Sequence, residues 1–209
     1  MPAVLDLVRK VRRKGVVETA RTAIEMLVAK ETTILLVKDL ARVDQVEPHV
    51  DVEFRWLTQG DIEPFMQARR ASNAADVGDF FARGARCLGA FVDGRLAGYM
   101  WFLYDYCRFA FFDYDLVMKP GEAFLGPALV DDAHRGRGIY PALLTRAFAA
   151  LKEQGYRVAM GAVGTGNQPS IRGIVRAGYS PQRSITAVRL LNRFVVYMGD
   201  APCTRFTDV

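Results

Sequence analysis

The sequence predicts an α+β fold, in mixed α/β form, with a central and mostly antiparallel sheet flanked by helices. Two observations predict it. Apolar runs at residues 88–92 and 96–102 flank Asp93-Gly94, the residue pair that favours a type I′ hairpin turn. Further along, residues 142–154 repeat apolar positions at helical spacing and are followed by Gly155, a typical helix C-terminus. An antiparallel meander followed by alternating strands and helices favours a mixed sheet over a doubly wound one.

The remaining elements follow from the same patterns. Two amphipathic helices are expected before residue 30, and the β-branched run 32–37 predicts a short strand. Residues 39–51 show no periodicity and are interpreted as a linker. The chain is therefore divided into an N-terminal extension, residues 1–50, that docks on or precedes the core, and a main domain, residues 51–200. Within the main domain we expect strands at 52–57, 109–117, 122–130, 156–163, 185–191 and 194–198, and helices at 61–71, 142–154 and 169–177.

Length and composition indicate one globular domain with an appendage. Hydrophobic residues make up 51% of the 209 residues and charged residues 24%, which argues against a disordered chain. No apolar run reaches the ~20 residues of a membrane helix. The cysteines Cys87, Cys107 and Cys203 are odd in number and widely spaced, which is typical of a reducing compartment. We therefore expect a cytoplasmic protein, and with only two histidines we expect no metal site.

The positive charge is concentrated at the start of the chain. Residues 1–30 hold seven basic and three acidic residues, a net charge of +4 out of +5 for the whole sequence. Two interpretations stay open for these amphipathic helices. They can dock on the main domain with their basic side chains in water, or they can contact an anionic membrane surface peripherally. Nucleic-acid binding is not expected, because no second basic patch with interleaved aromatic residues occurs in the sequence.

The segment 129–141 carries the clearest chemical signal. A strand ends at its start, a turn rich in glycine and arginine follows, and a helix begins with proline in its first turn. Gly136 and Gly138 leave backbone N–H groups accessible, and Arg135 and Arg137 add positive charge. This arrangement predicts an anion site for a phosphate or pyrophosphate at a helix N-terminus. The segment lacks the Gly-Lys-Ser/Thr of a Walker A loop and the glycine spacing of a dinucleotide fingerprint.

The same segment resembles a known signature. Arg135-x-x-Gly138-x-Tyr140 is similar to the Arg/Gln-x-x-Gly-x-Gly/Ala motif of the GNAT superfamily, the N-acetyltransferases that use acetyl-CoA. Downstream, Asn167-x-x-Ser170 and then Gly178-Tyr179 resemble the superfamily's Asn-x-x-Ala/Ser and Gly-Phe/Tyr element. The order of strands from about residue 52 to 198 matches as well. The whole chain further resembles bacterial members that modify sugars of surface polysaccharides.

The resemblance implies which residues bind the donor. The backbone of the loop is expected to hold the CoA pyrophosphate, and the end of the preceding strand to present backbone groups to the pantetheine arm. The acyl group is expected in a gap between that strand and the next. Asn167 also fits a plain helix N-cap, and the two roles are compatible. The expected cofactor-binding residues are Leu129, Val130, Arg135, Gly136, Arg137, Gly138, Ile139, Tyr140, Asn167 and Ser170.

Two positions depart from the family pattern. Tyr140 stands where a small residue is usual, so the loop is expected to be tighter or to hold CoA differently. Ile174 aligns with the tyrosine that often serves as general acid in the family, and isoleucine cannot protonate a thiolate. Either another hydroxyl group takes this role, or the thiolate leaves unassisted, which suits a thiol with a pKa of about 8.5.

Three carboxylates are candidates for the general base. Glu122 opens the strand that leads to the loop, and two-residue alternation places it on one face with Phe124 and Ala128. It is either a base, acting directly or through water, or an ordinary carboxylate at a strand end. Asp113 and Asp115 share a face of the preceding strand and are the rival candidates. They fit a sugar hydroxyl or a substrate ammonium equally well.

The resemblance implies a direct attack by a small-molecule amine, such as an amino sugar, on acetyl-CoA. Without an acyl-enzyme, Cys87 and Cys107 are expected to serve only strand packing, and His134 is expected on the solvent side. Two alternatives stay open. One is an N-acyltransferase near a membrane that uses long-chain acyl-CoA or acyl-carrier protein. The other is a CoA-binding regulatory module without catalysis. A homodimer is also considered, because exposed late strands often pair.

Overall fold

The computed structural model describes residues 28–68, 76–190 and 193–200. The two helices expected before residue 28, the end of the helix expected at 61–71, and Cys203 lie outside the described residues.

The described part of the chain contains ten strands and four α-helices. Short 3-10 turns at Ala110–Phe112 and Asp132–His134 lie between them. In chain order the elements are β1 (Val28–Asp39), β2 (Glu53–Leu57), α1 (Gln59–Ala68), α2 (Val77–Ala82), β3 (Arg86–Val92), β4 (Arg95–Leu103), β5 (Tyr106–Phe109), β6 (Tyr114–Val117), β7 (Glu122–Val130), α3 (Ile139–Glu153), β8 (Val158–Gly164), α4 (Gln168–Arg176), β9 (Ser180–Leu190) and β10 (Arg193–Asp200).

Eight of these strands form one sheet in the order β10-β9-β1-β8-β7-β4-β3-β2. Neighbouring strands are antiparallel throughout, except that β7 and β8 run parallel. The predicted α+β fold with a mixed, mostly antiparallel sheet is confirmed. The hairpin between β3 and β4 turns at Asp93 and Gly94, whose φ angles of 49° and 72° are both positive, as the type I′ turn requires.

Helices cover both faces of the sheet. On one face α3 and α4 pack their apolar sides against a cluster that includes Leu36, Phe102 and Leu125. On the other face α1 and α2 cover a cluster around Tyr99 and Trp101, both fully buried. The sheet is thus the middle of three layers, so any opening between its strands connects the two helical layers. In the described ranges, no helix is long and apolar enough to cross a membrane.

The strand expected at 32–37 is longer than predicted and lies inside the sheet. β1 has 12 residues and pairs with β8 along one edge and with β9 along the other. Its run Ile34, Leu35 and Leu36 is buried on both faces, which is why the apolar residues follow one another without alternation. The sheet therefore includes part of the segment assigned to the extension. The docking of residues 1–27 stays a prediction.

The extended stretch expected at 109–117 is not one strand. β5 and β6 form a separate two-stranded hairpin. The 3-10 turn Ala110–Phe112 and the left-handed backbone of Asp113, with φ of 47°, interrupt the stretch. This hairpin packs over the sheet through Phe112, which contacts the cluster formed by Leu35, Ile185 and Ala187.

Leu36→Ala tests whether β1 belongs to the cooperative core. Leu36 is fully buried, so its truncation should lower the free energy of unfolding by about 2–5 kcal/mol in urea denaturation. The control is Val117→Ala on the hairpin, where valine is 67% exposed and the expected change is within about 0.5 kcal/mol. Equal, small changes for both variants would show that β1 is dispensable for folding.

Candidate active site

The sheet opens between β7 and β8. The two strands pair only through Glu122, Ala123 and Phe124, opposite Val158 to Met160. Beyond this point β8 continues to pair with β1 as far as Gly164, and β7 with β4 as far as Val130. The edges of β7 and β8 that face each other are therefore free of strand pairing in the second half of each strand. A ligand with amide groups can hydrogen-bond to such edges.

A bulge in β7 accompanies the opening. Met100 of β4 lies opposite Ala128, whereas Phe102 lies opposite Leu125, so β7 contains an extra residue in this stretch. The bulge includes Gly126, with φ of 139°, and the cis peptide bond to Pro127. Because of the extra residue, the side-chain alternation reverses along the strand.

The reversal corrects one expectation from the sequence. Phe124 packs in the cluster under α1 and α2, whereas Ala128 packs against the cluster under α3 and α4. Glu122 and Phe124 therefore do not share a face with Ala128. Simple alternation fails here because it assumes a regular strand, and the glycine and proline at 126 and 127 interrupt it.

A cavity of about 620 Å³ runs through the opening. At one end lie the loop between β7 and α3, the first turn of α3 and the first turn of α4. At the other end lie Cys107, Arg108 and Phe109 of the β5–β6 hairpin. Of the cofactor-binding residues predicted from the sequence, the cavity brings together Leu129, Val130, Arg135, Gly136, Gly138, Ile139, Tyr140, Asn167 and Ser170.

The loop presents a row of free backbone donors to this cavity. Within the described part of the chain, the N–H groups of the five consecutive residues from Gly136 to Tyr140 have no hydrogen-bond acceptor. Gly136 and Gly138 both have φ of 76°, which turns successive N–H groups toward one side. The N-terminus of α3 adds its partial positive charge at the same place. Such an arrangement is suited to an anion such as a pyrophosphate.

The segment between β1 and β2 supports the loop from behind. The His49 N–H donates to the carbonyl of Arg137 at 2.8 Å. A Cβ at Gly138 would lie 3.3 Å from the Cα of Pro48, whereas a Cβ at Gly136 would meet open space. The positive φ and the close packing therefore both require glycine at position 138, whereas at position 136 the positive φ alone requires it.

Charged side chains surround the loop. Arg135 is exposed and forms an ion pair with Asp132 at 2.6 Å. Arg137 is exposed and does not line the cavity. His134, expected on the solvent side, instead lines the cavity with a side chain that is 20% exposed. Its Nδ1 is buried 3.7 Å from the Asp131 carboxylate and has no hydrogen-bond partner among the described residues. In the sequence, the position of His134 directly before Arg135 of the motif could have indicated this location.

Asn167 caps α4. Its side-chain oxygen accepts a hydrogen bond from the Ser170 N–H at 3.2 Å, which confirms the N-cap interpretation. Both residues also line the cavity, with Pro169 between them. The cap and a contact with a ligand are therefore compatible in this geometry.

Tyr140 packs against α4 rather than blocking the loop. A Cβ at Gly173 would lie only 2.5 Å from its ring, so the ring fills the space that this glycine leaves free. Burial raises the pKa of Tyr140 to about 12. Ile174, the next residue of α4, is buried in the core under α3 and does not line the cavity.

Residues 51–179, more than half of the chain, match the model of the acetyltransferase (GNAT) family. The chain belongs to this family. GNAT enzymes transfer acyl groups and use acetyl-CoA as donor, and the predicted resemblance is thereby confirmed. No curated protein matches the sequence significantly.

Solved structures share the fold. A GCN5-related N-acetyltransferase from Sphaerobacter thermophilus covers 90% of this chain at 14% identity and a TM-score of 0.53. A GNAT-family acetyltransferase from Colwellia psychrerythraea covers 82% at 17% identity and a TM-score of 0.52. A glucosamine N-acetyltransferase region of a fungal multi-domain β-N-acetylglucosaminidase covers 82% at 14% identity and a TM-score of 0.56. This chain spans 57%, 56% and 23% of those chains, less than two thirds of each.

The three carboxylates predicted as catalytic lie outside the cavity lining of this GNAT domain. Glu122 is at the paired end of β7, where its side chain accepts the Lys119 N–H at 2.9 Å across the turn. Asp113 and Asp115 are at the hairpin, and both form ion pairs with Arg108. Only Arg108 of this group reaches the cavity. The expected positions of Asp113 and Asp115 rested on one regular strand, which the 3-10 turn interrupts, whereas Glu122 lies where β7 and β8 are still paired.

Cys107 lines the cavity but is not a nucleophile at neutral pH. Burial raises its pKa to about 12, so the thiol stays protonated. Cys87 is buried in the sheet, and desolvation raises its pKa even further. Both cysteines pack in the cluster that α1 and α2 cover. The prediction that they serve packing agrees with these positions.

Gly173 and Tyr140 should behave as a coupled pair in a double-mutant cycle. Gly173→Ala alone is expected to destabilise the protein by about 1–3 kcal/mol, because the new methyl group meets the ring. In a Tyr140→Ala background the same change should be neutral or stabilising by up to about 1 kcal/mol, since alanine favours helix. Gly164→Ala, at a glycine with open space around it, is the control. Additive effects in urea denaturation would contradict the contact.

Proposed function

We propose that this protein transfers an acetyl group from acetyl-CoA to the nitrogen of a small-molecule amine. The observation that carries the proposal is the row of free N–H groups from Gly136 to Tyr140. It lines a cavity that follows the opening between β7 and β8 as far as the β5–β6 hairpin. A donor held by its phosphates at one end can therefore meet an acceptor that enters from the other end.

The loop is suited to the pyrophosphate of CoA. Free N–H groups and the α3 N-terminus supply hydrogen bonds and positive potential without a bulky side chain in the way. Arg135 and Arg137 are exposed beside them and can pair with phosphate oxygens. Arg135 exchanges its ion pair with Asp132 for such a contact.

The opening is suited to the pantetheine arm. This arm contains two amide groups, and the free edge of β7 up to Leu129 and Val130 offers backbone donors and acceptors in a row. Asn167 and Ser170 line the same stretch from α4. Within the described residues the Tyr140 hydroxyl has no hydrogen-bond partner, so this group is available to the arm as well.

The chemistry is a direct transfer. The amine nitrogen attacks the thioester carbonyl carbon and forms a C–N bond, and the C–S bond then breaks with its electron pair on sulfur. The nitrogen loses one proton and the thiolate gains one. Because the Cys107 thiol stays protonated, an acyl-enzyme on this residue is disfavoured.

The geometry favours loss of the amine proton to water. None of Glu122, Asp113 and Asp115 lines the cavity, and among the described lining residues there is no other carboxylate. In this proposal the acceptor arrives as the ammonium ion, loses a proton to water and attacks as the neutral amine. Glu122 as a base acting through a chain of waters is the competing possibility.

The thiolate leaves with little help from the protein. Ile174 cannot donate a proton, and its side chain is buried away from the cavity. Tyr140 and Ser170 supply the side-chain hydroxyls in the described lining. A CoA thiol with a pKa of about 8.5 is a good enough leaving group to depart as the anion.

The acceptor is proposed to enter beside the β5–β6 hairpin. Arg108 with its two aspartate partners gives this entrance one net negative charge, which attracts an amine in its ammonium form. An amino sugar is one acceptor of this kind. Cytoplasmic location, and contact of residues 1–30 with a membrane, stay predictions that rest on the sequence.

Gly136→Asp tests the donor site. Acetyl-CoA at 100-fold over its Kd should stabilise the wild type by about 2.7 kcal/mol. The introduced carboxylate should repel the pyrophosphate and weaken binding at least about tenfold, leaving about 1.4 kcal/mol or less at the same concentration. Thermal unfolding with and without acetyl-CoA measures both values.

Gly94→Asp is the matched control for this variant. Gly94 also has a positive φ, of 72°, with open space around it, but it lies in the β3–β4 turn. Both substitutions therefore introduce similar backbone strain, and Gly94→Asp should keep the full stabilisation by acetyl-CoA. Equal stabilisation of wild type and Gly136→Asp would refute the site.

Glu122→Gln and the pH dependence of turnover test the proton path. With water as acceptor, log kcat/KM should rise with pH and level off at the pKa of the acceptor amine, since only the neutral amine reacts. Glucosamine and an alkylamine of higher pKa should therefore give different profiles. Glu122→Gln should retain kcat/KM within about twofold.

Asp113→Asn and Asp115→Asn serve as parallel variants for the hairpin carboxylates. Their expected effect is a higher KM for a cationic acceptor with little change in kcat. A fall in kcat of about 100-fold or more for Glu122→Gln would identify Glu122 as the base. The pH profile of the wild type should then bend at the same pH for both amines.

A further inference from the structure

Both histidines of the chain lie at the loop between β7 and α3. His49 contacts this loop from behind: its backbone N–H donates to the Arg137 carbonyl, and the residue itself is exposed. His134 belongs to the loop and lines the cavity. One histidine therefore lies inside the candidate site, and the other lies behind it.

The other charged side chains of this loop cancel one another. Asp131 and Asp132 carry two negative charges, and Arg135 and Arg137 carry two positive ones. Apart from these, the loop offers an anion only the partial positive charge of its N–H groups and of the α3 N-terminus. The protonation of His134 therefore decides whether the side chains of the loop are neutral as a group or carry one net positive charge.

The His134 ring can serve two negatively charged partners once it is protonated. Its Nδ1 is buried 3.7 Å from the Asp131 carboxylate and makes no hydrogen bond to any described residue. The side chain keeps 20% of its surface exposed, so a ligand in the cavity can reach the ring. A protonated imidazole donates from both nitrogens. It can therefore pair with Asp131 through Nδ1 and with an anion through Nε2.

The other ionisable groups of the cavity keep their charge near neutral pH. Arg108 and Arg135 stay positively charged. Burial raises the pKa of Cys107 and that of Tyr140 to about 12, so both side chains stay neutral. The described lining residues of β7, β8 and α4 carry no ionisable side chain. Histidine ordinarily changes its charge between about pH 5 and 8, so His134 is the lining residue that can make the cavity sensitive to pH.

We infer that the protonated side chain of His134 binds a phosphate of the donor, so that donor binding takes up a proton from solvent. The inference rests on the proposed function, because it needs the phosphates of acetyl-CoA at this loop. The imidazolium binds a phosphate more strongly than the neutral ring does, since the hydrogen bond then joins two charged groups. Donor binding therefore weakens as the pH rises through the range in which histidine loses its proton.

The test is the Kd of dephospho-CoA from about pH 5.5 to about pH 8. This probe keeps the pyrophosphate but lacks the 3′-phosphate, a monoester that itself changes charge at about pH 6. For the wild type, Kd should rise at least about fivefold over this range. His134→Gln should bind independently of pH, with a Kd close to that of the wild type at high pH. His134→Arg is charged at every pH, so its binding should be independent of pH and tight throughout.

His49→Gln separates the two histidines and should keep the pH dependence of the wild type. If it loses this dependence while His134→Gln retains it, His49 is the responsible group and the inference is wrong. Calorimetric titration of the wild type in two buffers of different ionisation enthalpy counts the protons taken up, and it decides alone if the His134 variants do not fold. Binding without proton uptake overturns this inference and leaves the proposed function standing. If neither acetyl-CoA nor dephospho-CoA binds at any pH, both are overturned.

Discussion

Parallel pairing between β7 and β8 ends after three residue pairs, and the other features of the site depend on this interruption. A continuous ladder would close the sheet and leave no passage between its two faces. The bulge around Gly126 and Pro127 prevents a regular ladder, because proline has no N–H to donate and the extra residue shifts the register. The antiparallel pairs on either side hold the opening in place, since β4 fixes one wall and β1 the other.

The segment between β1 and β2 supports the loop between β7 and α3. His49 and Pro48 brace the loop at Arg137 and Gly138, and the Val46 N–H donates to the Thr145 hydroxyl of α3 at 3.1 Å. An anion site made of backbone N–H groups works only if those groups are held in position before the ligand arrives. The strand and linker that precede the main domain in sequence thus help to shape its site.

Tyr140 and Gly173 show how a departure from the family signature is accommodated. A large ring replaces a small residue on α3, and a glycine on α4 makes room for it, so the backbone of the loop keeps its accessible N–H groups. The same helix carries Ile174 into the core instead of a hydroxyl into the cavity. Both departures from the family pattern are therefore accommodated by the packing of α3 against α4 rather than by the loop itself. In the proposed reaction, the proton chemistry is therefore left to water and to the leaving group.

The sequence by itself determined the family, the hairpin at Asp93-Gly94 and the position of the loop proposed to bind the donor, because each depends on local turn chemistry or helical period. Only the tertiary structure decided where β1 lies, since a short apolar run does not specify its neighbours in a sheet. Tertiary structure likewise reversed the alternation along β7, because a bulge depends on the partner strand. Pairing with β8 placed Glu122 at the closed end of the two strands, away from the cavity. His134 lines the cavity for the same kind of reason: the way the chain turns after β7 directs its side chain, and no periodicity encodes that turn.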